Sequence, residues 1–194
     1  DTLFYINDLT TSILSVRNLT KGKLEFGAIK IDKLDFKLKT YKDSISTNLE
    51  VFIDKLDDGK PRKPGTPPFF FSSSDVEIDN STFKLLDENR ETEKMLDFKN
   101  LNINAKEFQI LGPEVTTKIE AMSFASHRGA IVDKLATDFK YTKQQMRFDS
   151  LNIQTPQSEL KGALVFNYDR KDFKDFLNKV NVVAEFSDSK VALD

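Results

Sequence analysis

Residues 96–103 read LDFKNLNI, and residues 146–153 read MRFDSLNI. Both place apolar side chains at i, i+2, i+5 and i+7: Leu96, Phe98, Leu101 and Ile103 in the first, Met146, Phe148, Leu151 and Ile153 in the second. Residues 29–36, IKIDKLDF, follow the same rule with Ile29, Ile31, Leu34 and Phe36. Steps of two are the alternation of a half-buried strand. The middle step of three would turn the second pair to the opposite face, unless one bulged residue or a two-residue turn restores it. The spacing therefore predicts strands whose four apolar side chains share one face. Polar pairs occupy the step, Asp32-Lys33, Lys99-Asn100 and Asp149-Ser150, and suit either device. None is the Asn-Gly of a favoured two-residue hairpin. Weaker copies run through Val76, Ile78, Ser81 and Phe83, through Ile119, Ala121, Phe124 and Ser126, and through Ala130, Val132, Leu135 and Thr137.

The copies recur at uneven intervals, which excludes a fixed-period solenoid and predicts a meander of many strands. A sheet with one apolar face must cover it. It closes into a sandwich or barrel, or it curls into a trough whose lining is covered by something other than protein. Alternation also fills residues 11–41 and continues through Leu49, Val51 and Ile53. Residues 57–68, DDGKPRKPGTPP, hold four of the six prolines and predict an exposed loop carried by one sheet. Residues 87–94 read as a charged, solvated loop. One stretch changes period: Phe173, Phe176, Leu177 and Val180 form the stripe of a short amphipathic helix near 170–180, with Asp169 as its N-cap. Residues 1–194 are taken as a single segment.

The 29 basic and 31 acidic residues nearly cancel, so no field attracts nucleic acid. The absence of cysteine excludes disulfides and thiolate metal sites. No apolar run is long enough to span a membrane, and the first residues lack the basic start of a signal peptide; signals for export or anchoring would lie outside this stretch. The one histidine, His127 in ASHRGA, reads as a surface residue, and no G-x-S-x-G elbow, P-loop, EF-hand or dinucleotide fingerprint is present. The acid pairs Asp57-Asp58 and Asp87-Glu88 sit in loops with balancing charges. No catalytic residue, metal ligand or cofactor is predicted.

The order of TNLEVFIDKL, the proline-rich break, FFFSSSDVEIDNSTFKLLDEN and VDKLATDFKYTKQQMRFDSLNIQTPQSELKGALVFNY resembles the amino-terminal half of TamB-type proteins of the AsmA-like superfamily, in the form typical of Bacteroidetes. The resemblance implies a segment of a longer periplasmic protein, anchored in the inner membrane by a helix outside this stretch. It implies as partners phospholipid acyl chains and an Omp85-family outer-membrane barrel, the latter reached through another region. It also implies a mainly β, mostly antiparallel and strongly curved sheet forming an open apolar trough, with no active site. The twelve strong-copy residues from Ile29 to Ile153 are then the expected trough lining. The alternative is a scaffold that positions the barrel without conducting lipid.

Overall fold

A computed structural model describes residues 2–14, 18, 23–44, 47–49, 51, 68–92, 94–169 and 179–192. Nine strands form one sheet in chain order: β1 (Phe4–Ile13), β2 (Lys23–Thr40), β3 (Phe70–Asp87), β4 (Lys94–Leu111), β5 (Glu114–Ser126), β6 (Ile131–Tyr141), β7 (Gln145–Gln154), β8 (Glu159–Asn167) and β9 (Asn181–Lys190). All neighbours are antiparallel except β2 and β3. The sheet is open, since β1 and β9 each have one neighbour. Substantial contacts between strands join only sheet neighbours, so the described residues form a single layer.

The step of three is a bulge inside one long strand, not a turn between two. Lys33, Asn80, Asn100 and Ser150 take φ of 57°, 51°, 51° and 51°, the left-handed conformation in which an extra residue is accommodated. Strand β6 measures the result, because Leu135, Thr137, Phe139 and Tyr141 alternate there with no positive φ and must share a face. Across from it, Leu135 pairs with Ile153 and Phe139 with Phe148. Five residues on β6 match six on β7, and the bulge at Ser150 absorbs the difference. Phe148 and Ile153 therefore face the same way, as do Phe98 and Ile103: Met122 pairs with Ile103, while Phe124, two residues on, stacks on Phe98 at 4.1 Å.

One weaker copy is framed differently from its sequence pattern. Asn104 pairs with Ala121 and Ala105 with Ile119, so β5 carries its own extra residue between Ile119 and Ala121. Met122, not Ala121, follows Ile119 on the apolar face.

Bulges break the ladder, and polar side chains repair it. The Ser81 hydroxyl accepts the Leu34 N–H at 2.9 Å and donates to the Asp79 carbonyl at 2.7 Å. Asn102 Oδ1 accepts the Asn80 N–H at 3.0 Å, and Thr137 donates to the Asp149 carbonyl at 2.8 Å. Ser81 is 1% exposed, so its loss strands a part-buried amide away from water. Ser81→Ala is expected to cost about 1–3 kcal/mol in urea unfolding. Ser74→Ala, which removes only an exposed bond to Asp75, is expected to stay within about 0.5 kcal/mol. Equal midpoints for the two would show that the bulge needs no stitch.

The parallel β2–β3 pair changes the reading of the connection 41–69. Parallel neighbours require the chain to travel the length of the sheet, about 60 Å for 18-residue strands. It is a crossover, and Pro68 is the only described member of the 57–68 loop. Its start turns back beside β2: the carboxamide of Asn48 accepts the Lys39 N–H and donates to the Lys37 carbonyl, past Phe4, the first β1 residue of the ladder. Leu49 and Val51 are not in a strand as expected. The Val51 N–H bonds the Thr47 carbonyl at 3.0 Å, closing one helical turn.

The charged loop after β3 does more than solvate. Asn89 donates to the Tyr41 and Ser44 carbonyls and accepts the Asp43 N–H, and Glu88 meets Lys39 at 2.7 Å. Side chains of known local turn preference thus pin the start of the crossover. The expected helix near 170–180 lies outside the described residues apart from its last two positions.

Candidate functional site

Pairing places the apolar side chains in rows perpendicular to the strands. Leu9, Ile31, Ile78, Ile103, Met122, Leu135, Ile153 and Leu160 stand opposite one another in turn from β1 to β8. At the strand spacing of antiparallel sheets this row is about 34 Å long. A second row runs from β2 to β9 through Leu24, Phe71, Ile110, Val115, Tyr141, Met146, Phe166 and Val182. Between them lie Ile29, Val76, Ala105, Ile119 and Thr137. Phenylalanine flanks this aliphatic floor on both sides. Phe36, Phe83, Phe98 and Phe124 make one ladder, with ring separations of 5.7, 5.9 and 4.1 Å, and Phe139, Phe148 and Phe166 make another at 5.1 and 6.0 Å. Such neighbouring rings add about 0.5–1.5 kcal/mol per pair beyond their burial.

The opposite face is polar row by row. Thr10, Lys30, Glu77 and Asn104 face one another, as do Lys106, Lys118, Asp138 and Asp149. Lys30 meets Glu77 at 2.6 Å and Lys106 meets Glu120 at 3.2 Å. These exposed pairs add little stability each but mark the water side. Asp97 is the exception in depth. Burial alone pushes its carboxyl up, yet the Lys94 ammonium at 3.0 Å, with Lys84 and Lys99 nearby, holds it below the usual carboxylate range. At the far end of the sheet, burial and then Tyr141 push the Tyr168 phenol up to about 12; its hydroxyl donates to the Thr142 carbonyl at 3.1 Å.

The twelve expected lining residues share one face but not one register. Ile31, Ile103 and Ile153 belong to the central row, and Ile29 to its neighbour. Phe36 and Phe98 lie on one flank, joined beyond them by Leu96 opposite Leu85. Met146 and Phe148 lie on the other flank, because β4 and β7 run in opposite directions. The two copies of LNI therefore share only the isoleucine row. Leu34 stands opposite Ile6, next to the Ser81 stitch, and Leu101 opposite Ser81. Leu101 and Leu151 are 7% and 2% exposed, packed into the bulges rather than presented by the face.

No family model, curated protein or solved structure matches the chain. Among the described residues no group of three acidic or histidine side chains is placed to hold a metal ion, and no helix is long and apolar enough to cross a membrane. His127 is exposed in the β5–β6 hairpin, its N–H bonded to the Asp97 carbonyl at 2.9 Å. Two open hollows lie on the described sheet, one beside Asp133 and Glu159, the other beside Lys118 and Asp138. Sequence reading missed a copy of the unit in β1, Phe4, Ile6, Leu9 and Thr11 around Asn7-Asp8, although the spacing was there to find. It also missed the second long row, which alternation within one strand cannot display.

Proposed function

We propose that this chain is a segment of a periplasm-spanning, bridge-like lipid transfer protein of the TamB type. In this reading its apolar face carries phospholipid acyl chains between inner and outer membranes, anchored and coupled to an outer-membrane barrel by regions outside the segment. The observation that carries the reading is the central row: eight consecutive strands each contribute an apolar side chain, and no described element packs over them. Bulges bend strands and increase their twist, so bulges repeated from strand to strand favour a trough over a flat sheet. Each methylene moved from water to such a surface gains about 0.8 kcal/mol, or on the order of 10 kcal/mol for a dozen. A row without breaks offers nearly equal contacts at each strand, so a chain is held without being trapped.

Photo-crosslinking tests the reading. A photoreactive residue at half-buried Ile103 is expected to capture phospholipid, and one at exposed Asn104, on the polar face, is expected to capture none. Capture at neither position, with binding to a barrel retained, would favour the scaffold.

A further inference from the structure

We propose that the apolar face sorts lipids by length, accepting two acyl lengths end to end over β2 to β4 and a single length over β7 and β8. This inference rests on the lipid reading above and adds to it the size of the occupant. On β4 the apolar side chains run from Leu96 to Ile110, fourteen positions, of which the bulges at Asn100 and Glu107 absorb two. That leaves about 40 Å of apolar face along the strand. Leu38 and Leu24 on β2 stand opposite Leu85 and Phe71 on β3, which stand opposite Leu96 and Ile110. The three long strands therefore share one extent. On β7 the run from Met146 to Ile153 is seven positions with one bulge, and on β8 the run from Leu160 to Phe166 is six, so both measure about 20 Å.

The whole difference lies on one flank. Ile110, Met146 and Phe166 end the band in one common row, and Ile103 and Ile153 share the central row. Past Ile103, β4 carries the band on through Phe98 to Leu96. Past Ile153 the chain turns instead: Thr155 Oγ1 accepts the Ser158 N–H at 2.9 Å and closes the β7–β8 hairpin. Charged residues stand beyond both ends of the wide band, Asp87 and Lys94 on the flank of Leu85 and Leu96, Lys23 and Glu114 on the other. Each rim thus offers both signs to a zwitterionic head group. The acyl layer of one membrane leaflet is about 15 Å deep, and two leaflets make about 30 Å. Laid along the strands with heads at the strand ends, one length fits either half of the sheet. Two lengths fit β2 to β4 only.

Two probes separate the lengths: a diacyl phosphatidylcholine and a membrane-spanning bolaform lipid with phosphocholine at both ends, each presented in detergent micelles to the 194-residue chain. A photoreactive residue replaces Ile103 or Ile153, which are half-buried in the same row. The phosphatidylcholine is expected to be captured at both positions. The bolaform lipid is expected to be captured at Ile103 and about tenfold or more weakly at Ile153, where its second half overhangs the band. Equal capture of the bolaform lipid at the two positions, or its capture at neither while phosphatidylcholine is held at both, would overturn the sorting by length and leave the lipid reading standing. Capture of neither lipid at either position would overturn the lipid reading and this inference with it.

Discussion

A Leu151→Asp chain is expected to lose on the order of 3 kcal/mol of stability, lowering its urea midpoint by about 1 M or more. Leu151 is 2% exposed, seated between the Ser150 bulge and Gly162 of the next strand. A carboxylate there has no cation beside it in the ladder among the described residues. Its neighbours in the ladder are Gly162 and, across β6, Thr137, whose hydroxyl is already committed to the Asp149 carbonyl. The group must stay protonated or force the bulge open to reach water. Ile153→Asp is the companion measurement: two residues on, in the half-buried central row, its carboxylate reaches solvent at the open face and the midpoint should fall less. Equal shifts for both would mean that the face is covered after all.

Gly162→Ala is expected to detach β9. A Cβ at this position would overlap the carbonyl oxygen of Glu185, a backbone atom that cannot swing aside, and would crowd the Phe186 backbone as well. Glycine is needed here for close approach of two strands. Hydrogen exchange of residues 181–190 should rise to the rate of unstructured chain, while β2 to β7 keep their protection, because among the described strands β9 makes substantial contacts with β8 alone. Retained protection in β9 would show that the β8–β9 ladder shifts register instead.

Much of the two-faced sheet was legible in the spacing of apolar residues. Which way a side chain points along a strand is a local property, and a step of three flanked by steps of two states it without reference to any partner. The polar pairs at the step even named the bulge residues Lys33, Asn100 and Ser150. What local spacing leaves undetermined is whether such a step is a bulge or a turn. The answer depends on whether a neighbour continues past it, and β2, β3 and β4 each have neighbours that do.

Direction and register belonged to the tertiary structure alone. FKNLNIN and FDSLNIQ are nearly the same word, yet β4 and β7 run oppositely, so one copy extends its phenylalanine to one flank and the other to the opposite flank. The parallel β2–β3 pair was equally hidden, because the proline-rich composition of 57–68 excludes a ladder without saying which end of the sheet the chain reaches next. Burial of Leu101 and Leu151 below Ile103 and Ile153 likewise follows from bulges meeting their neighbours across the ladder. The sequence by itself determined which residues of the strong copies face the apolar side, whereas in β5 pairing put Met122 there in place of Ala121. Only pairing between strands distant in the chain decided which of them stand together, because rows form across hydrogen-bonded neighbours and no single strand contains one.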